Sequence, residues 1–318
     1  MLHRLPQMLI FDALVREQGI SAAARRLGVS KSHISKQLAQ LEADLGAQLV
    51  QRTTRRFALT ELGQEYARHC RALVAQAQEA ESMVADRRGK VSGVLHLGVG
   101  QSFGRLHVIP RLKAFQQRYP ELELEVSLFD HRTNLVDEGL DLWITTYEDK
   151  PEGLIGQRLA DIGFVLAASP DYLLGHGTPL TPRDLLGHNC ITYQSRERRY
   201  HEWHFRKEKE RQTVQVAGNY RVDLAEAVRD AAMAGLGVAY IANYLLDKEL
   251  QSGALIPLLP EWRPSQKMAV HAVYARREHL DPKIRLFIDF LKQGFGTPPY
   301  WQQRLAPWLG HTLSGLEE

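Results

Sequence analysis

A chain of 318 residues has room for two or three domains, and 44% hydrophobic with 24% charged residues is ordinary globular composition. No apolar run reaches the roughly eighteen residues of a membrane span, and the N-terminal stretch, with Asp12, Arg16 and Glu17, does not read as a signal peptide. Two distant cysteines, Cys70 and Cys190, argue against a disulfide framework or metal quartet and fit a reducing cytoplasm, while a net charge of +3 hides nine Lys/Arg against four Asp/Glu in residues 1–60. A basic head on a mildly acidic body points to a nucleic-acid contact at one end.

In chain order, Leu5, Met8, Leu9, Phe11, Leu14 and Val15 share one broad apolar helical face, ended by Gly19. Ser21 is an N-cap for a short helix over residues 22–27, and Gly28 stops it. Ser30 caps a third helix, in which Ile34, Leu38, Leu41 and Leu45 form a one-sided stripe. Its opposite face carries Lys31, Ser32, His33, Ser35, Lys36, Gln37 and Gln40, with no acid until Glu42. Two short helices around a glycine turn make a helix-turn-helix whose second helix can enter the major groove. Lys31 can donate to guanine, His33 can donate or accept, and Ser32 and Lys36 complete the reading turns. Residues 49–60, LVQRTTRRFALT, read as strand, basic turn, strand. Arg52, Thr53, Thr54, Arg55 and Arg56 at the tip suit phosphates, as does Arg25 on the preceding helix.

This head resembles the DNA-binding domain of LysR-type transcriptional regulators. The resemblance spans residues 5–66 and rests on Ala22, Ala23, Ala24, Leu27, Ser30, Ser32, Ser35, Leu41, Glu42, Leu45, Gly46, Arg52, Leu59, Thr60 and Gly63. It implies that residues 30–36 face DNA and that residues 52–56 lie along its backbone. Lys31 stands where Gln is more usual and His33 where Ala is common, so a borrowed base preference does not transfer.

From residue 60 to residue 88 there is no proline and one glycine, Gly63. Leu62, Tyr66, Leu73, Ala77, Ala80 and Val84 form a seam on a helix about 40 Å long, which reads as a dimerisation helix. The resemblance implies an antiparallel linker pair and a homotetramer. Residues 89–93 read as a hinge.

Beyond Gly93 the pattern becomes βαβ, with a parallel sheet. A second set of elements starts near Gly163, and residues 267–275 return to the first lobe, giving a two-lobed clamshell. The fold class expected is α/β with an N-terminal all-α winged helix-turn-helix, a long linker helix and a periplasmic-binding-protein-like effector domain. The expected divisions are 1–60, 61–90, 91–297 (lobe I about 91–161 and 267–297, lobe II about 162–266) and a tail, 298–318.

Gly100-Gln101-Ser102-Phe103-Gly104 fits the G-x-S-x-G of a serine nucleophile, but it follows the first strand of the body and no His-Gly-Gly-Gly segment precedes it. A dinucleotide loop fails because Gly104 lies four residues after Gly100 instead of three. A strand-to-helix turn instead offers free N–H groups to a small anion, so Gln101, Ser102 and Phe103 are effector-binding candidates. Strand ends add His131, Arg132, Thr133, Thr145 and Thr146 from one lobe and Tyr193, Val222, Asp223 and Tyr240 from the other. Many relatives in the resembled family carry Arg at the position of Thr145, and its loss leaves room for a less charged or aromatic effector.

His201-Glu202-Trp203-His204 is no metal site, because two histidines three apart on a strand face opposite ways; the segment reads as an exposed polar hairpin. The tail's Trp301, Leu305, Trp308 and Leu309 fall at helical steps, against its own domain or a partner. The expected function is a non-enzymatic, cofactor-free, cytoplasmic regulator of transcription. Its partners are double-stranded promoter DNA, a small organic effector, itself as a homodimer or homotetramer, and RNA polymerase when activating, with no membrane. The alternatives are a hydrolase built on Ser102, or a ligand-binding module acting on a protein partner.

Overall fold

The structure, a computed structural model, describes residues 4–51, 57–86, 91–147, 153–275 and 280–309. Contacts divide it into two units, Met1–Ser92 with Asn134–Leu140, and Gly93–Thr133 with Asp141–Glu318.

The first unit opens with α1 (Leu5–Arg16), α2 (Ile20–Arg26) and α3 (Lys31–Leu45). In α1 the buried side is Phe11, Leu14 and Val15 with Gln7 and Asp12, while Leu5 and Leu9 are exposed. The apolar face is therefore narrower than its spacing predicts. Asp12 is held there by Arg16 at 2.8 Å. Helix α2 starts earlier than expected: Gly19 is its N-cap, in extended backbone, and Ser21 lies inside the first turn. Ala23 and Ala24, both buried, let α1 and α3 approach it closely. Ser30 caps α3 as its residue type predicts, accepting from the His33 amide at 3.1 Å, and Gly46 ends the helix in the left-handed conformation. Such a cap contributes about 1 kcal/mol.

After α3 the Glu42 carboxylate accepts from the amides of Leu49 (2.8 Å) and Val50 (3.1 Å), fixing the first wing strand. Val50 pairs antiparallel with Leu59. The wing tip, residues 52–56, lies outside the described residues. Thr60 then caps α4 (Glu61–Asp86), accepting from Gly63 N at 2.9 Å. Gly63 is obligatory, because a Cβ there would stand 2.0 Å from the Leu49 carbonyl oxygen. The buried side of α4 is Gly63, Ala67 and Cys70, packed on Phe11 and Leu49. The predicted seam residues Leu62, Leu73 and Ala77 are exposed, Tyr66 packs in part on Phe11, and the side chains of Ala80 and Val84 are outside the described residues.

The second unit begins with β1 (Gly93–Val99) and a helical run over 101–118. The run comprises α5 (Gln101–Phe103), a π-helical turn and α6 (Ile109–Arg118). Then come β2 (Leu122–Leu128), β3 (Leu142–Thr145) and β4 (Leu154–Ile162); α7 (Leu135–Glu138), which lies between β2 and β3 in the chain, belongs to the first unit. The second lobe holds β5 (Phe164–Ala168), α8 (Pro170–His176), β6 (Cys190–Tyr193), β7 (Glu202–Lys207), β8 (Glu210–Gln215), β9 (Arg221–Val222), α9 (Ala225–Met233) and β10 (Val238–Ala242). Helix α10 (Lys248–Gln251) and strands β11 (Ile256–Pro257) and β12 (Arg263–Pro264) lead back. The first lobe is completed by β13 (Met268–Ala275), α11 (Pro282–Phe295) and α12 (Tyr300–Leu309).

Three sheets result: β2-β1-β3-β13-β4, β11-β5-β10-β6-β9 and β12-β7-β8. The return of residues 267–275 to the first sheet matches expectation. The expected parallel pairing holds for β1 with β2 and β3 and for β6 with β9 and β10, while β13 runs antiparallel to β3 and β4, and β10 antiparallel to β5. A chain that crosses to the other lobe and comes back by one strand returns in the opposite sense. The hairpin β7–β8 is not the exposed element its polar sequence predicts, because Trp203 and Phe205 are fully buried and only the alternate residues face out.

A buried charge cluster anchors the first lobe. Lys283 Nζ donates to the Val94 carbonyl at 2.7 Å and lies 3.2 Å from Asp141 and 3.7 Å from Asp281. Burial pushes the Asp141 carboxyl up, but hydrogen bonds from His96 and the charge of Lys283 outweigh it and bring it down to about 2.

The tail packs on its own unit: Trp301 and Leu305 are buried and Trp308 is partly exposed. Trp301 meets Phe103, His107 and Phe295 edge-on. Burial lowers His107 to about 4, so it is neutral at pH 7. Its Nε2–H donates to the Tyr244 carbonyl at 3.0 Å and Nδ1 accepts from the Tyr300 hydroxyl. One neutral imidazole thus ties the helical run to both the second lobe and the tail.

Candidate DNA-binding face and interlobe cleft

The two candidate sites obey opposite rules. On α3, Ile34 and Leu41 are fully buried, whereas Ser30, Lys31, Ser32, His33, Ser35 and Lys36 are exposed and Gln37 is half-buried. Ser30 and Ser32 share a hydrogen bond of 2.9 Å. Arg25 is exposed on α2, and its neighbour Arg26 is paired with Glu17 at 2.8 Å. With Glu42 turned inward to the wing strand, the first three turns of α3 present donors, acceptors and positive charge, and no acid. Arg52, Thr53, Thr54, Arg55 and Arg56 fall outside the described residues.

In the second unit a cavity of about 100 Å³ lies between the first two sheets. Of the predicted effector residues, Ser102, Phe103, Thr145, Thr146, Tyr193 and Tyr240 line it. The Ser102 hydroxyl is buried, without a hydrogen-bond partner among the described residues. Among the described residues no base accepts its proton. Phe103 chiefly fills the core against His107, Tyr244 and Trp301. Thr145 Oγ1 accepts from the Tyr147 amide at 3.1 Å, and the Tyr240 hydroxyl donates to the His204 carbonyl at 2.9 Å. Burial pushes the Tyr193 phenol up to about 12.

The other candidates lie elsewhere. Gln101 is exposed outside the cavity, and Thr133, Val222 and Asp223 also lie outside it. His131 packs at a tilt against Phe129 at the surface. Arg132 sits at the outer mouth, its amide donating to Glu197 at 2.9 Å. One of the amides expected to be free for an anion at the helical run is taken: Gln101 N donates to Asp130 Oδ1 at 2.9 Å.

Sequence reasoning missed the residues that close the cleft. Glu197 and Arg198, from the loop between β6 and β7, reach across to the first lobe. Glu197 accepts from the Tyr147 hydroxyl at 2.7 Å, and Arg198 donates to Thr146 Oγ1 at 3.0 Å while its guanidinium lies 3.4 Å from the Tyr147 ring centroid. The run Arg196-Glu197-Arg198-Arg199 was the only signal, and charge runs are usually solvated. Phe129, Trp143, Phe164 and Trp203 were missed too, since buried aromatics read as core. Among the described residues no cluster of His, Cys, Asp or Glu could hold a metal. Burial raises both Cys70 and Cys190 to about 12, which keeps them as protonated thiols at pH 7.

Two family models match this architecture: a bacterial regulatory helix-turn-helix protein of the lysR family over residues 5–64, and a LysR substrate binding domain over residues 88–296. The chain belongs to the LysR family of transcriptional regulators. It is 33% identical to the HTH-type transcriptional regulator PtxR of Pseudomonas aeruginosa, over 93% of this chain and 94% of that one. It is 31% identical to the probable HTH-type transcriptional regulator LtrA of Klebsiella pneumoniae, over 92% and 95%. Among solved structures, CrgA, a LysR-type regulator of Neisseria meningitidis, matches at 28% identity with a TM-score of 0.58, over 91% of this chain and 97% of that one. The helix-turn-helix is the DNA-binding part of this LysR-family chain, and the two-lobed domain is its effector-binding part. Among the described residues no helix is long and apolar enough to cross a membrane.

Proposed function

We propose that the exposed face of α3 reads promoter DNA in the major groove while residues 52–56 grip phosphates. A small organic effector in the interlobe cleft then changes the promoter complex. The observation that carries this reading is the split of α3: Ile34 and Leu41 fully buried, and Lys31, Ser32, His33 and Lys36 exposed on a capped helix. The effector acts by favouring one arrangement of the lobes, which the Glu197–Tyr147 and Arg198–Thr146 bridges hold shut. The exposed Leu62 and Leu73 of α4, with Leu5 and Leu9 of α1, support self-association as a homodimer that builds a homotetramer. An activating complex also contacts RNA polymerase. The protein works in the cytoplasm with no cofactor beyond the effector and without catalysis.

Footprinting on DNA flanking the protein's own gene, at two salt concentrations, tests this. The expected outcome is a discrete footprint over two or more half-sites that weakens steeply with salt. Loss of all DNA binding even at low salt would overturn it.

A further inference from the structure

We propose that the cleft selects a single-ring aromatic molecule whose polar group is an uncharged hydroxyl, of the phenol or benzyl alcohol class, and rejects carboxylates. This rests on the cleft being the effector site.

Size and wall chemistry set the ring. The cavity is about 100 Å³ and is faced by Phe129 and Trp143 from one lobe and Phe164, Tyr193, Trp203 and Tyr240 from the other. An apolar cavity of about 150 Å³ is enough to hold benzene, so one ring fits with slight opening and two do not.

Two buried polar atoms set the substituent. Ser102 and Gln266 both line the cavity, and the buried atoms Ser102 Oγ and Gln266 Oε1 have no hydrogen-bond partner among the described residues. The amide oxygen of Gln266 can only accept, and the Ser102 hydroxyl can donate or accept. A ligand hydroxyl serves both, because it donates to one and accepts from the other. A carboxylate has no proton for Gln266.

Charge excludes the acid. The amide that would welcome an anion, Gln101 N, is taken by the protein's own carboxylate, Asp130, on the cavity wall. Burial raises the Asp130 carboxyl, the Gln101 amide and the Arg198 charge oppose the rise, and Asp223 and Glu226 add to it, so a further negative charge meets these carboxylates as well as Arg198. Arg198, the other charged residue among the described lining, is stacked on Tyr147 and bonded to Thr146. Glu226 is paired with Arg105 at 2.7 Å.

The test is calorimetric titration of the full-length protein with phenol, benzyl alcohol, benzoate, benzylamine and succinate. Phenol and benzyl alcohol should bind saturably, with benzoate at least about tenfold weaker, a factor equal to about 1.4 kcal/mol. Ser102→Ala and Gln266→Ala should each weaken phenol about tenfold, because each leaves one end of the hydroxyl unpaired. Asp130→Asn should narrow the gap between phenol and benzoate. Tighter binding of benzoate, benzylamine or succinate than of phenol would overturn the class and leave the cleft as the site. No saturable binding of either alcohol would overturn it as well. Phenol binding unchanged in Ser102→Trp, which fills the cavity, or in Thr146→Trp should the first variant fail to fold, would instead displace the site itself, whereas unchanged binding in Ser102→Ala and Gln266→Ala would overturn the hydroxyl pairing.

Discussion

The recognition helix and the interlobe cleft solve the same problem, holding polar groups for a partner, in opposite media. On α3 the functional side chains stand in water and the apolar ones are hidden, so each acts almost alone and at low energetic stake. In the cleft the functional groups are buried among rings, where an unpaired hydroxyl is costly and each group depends on its neighbours. Surface function should therefore be separable from stability, whereas interior function should not.

The largest expected effect probes the interior. Asp141→Asn leaves Lys283, itself 4% exposed, with its charge partly uncompensated, and should cost about 3–5 kcal/mol of effector-domain stability by urea unfolding. The same pair predicts acid behaviour. Asp141 is lowered to about 2 when folded, against about 4 unfolded, so its contribution of about 2.5 kcal/mol is present above pH 4 and lost as pH falls through about 2. An Asp141→Asn variant as stable as the parent at pH 7 would break the comparison.

Gly63→Ala should cost about 1–3 kcal/mol or prevent the head from folding, since the added methyl meets a backbone oxygen that has no room to move. Thermal unfolding of the full chain should show the loss in the first transition. At the DNA face, Lys31→Ala and His33→Ala should each change discrimination at one or two base positions by about 1–3 kcal/mol while leaving the melting temperature in place. Binding-site selection on random DNA would reveal this, and an unaltered preference in both variants would reject the reader assignment. The smallest effect belongs to the wing. Arg55→Ala with Arg56→Ala should lower the slope of log affinity against log salt by about 1.8 and weaken all sequences alike.

Legibility follows the same division. The stripe of Ile34, Leu38, Leu41 and Leu45 could be read because a helix brings residues four apart together whatever surrounds it. Ser30 and Gly46 could be read as its ends for the same local reason. The cleft was legible only at strand ends. Ser102, Thr145, Thr146, Tyr193 and Tyr240 were found, but Gln101, Thr133, Val222 and Asp223 were swept in because the sequence does not say which way a loop residue turns. Asp130 was missed because its role depends on meeting Gln101, 29 positions away. The bridge of Glu197 and Arg198 spans 50 and 52 positions to its partners Tyr147 and Thr146.

By itself, then, the sequence determined a winged helix-turn-helix, a long helix and a two-lobed α/β body, since periodicity, caps and glycines act over a few residues. Tertiary structure alone decided which face of α4 is covered, where the tail packs, and that the protein's own Asp130 takes the Gln101 amide. Those outcomes depend on the excluded volume and charge of groups brought together by folding, which no local spacing encodes.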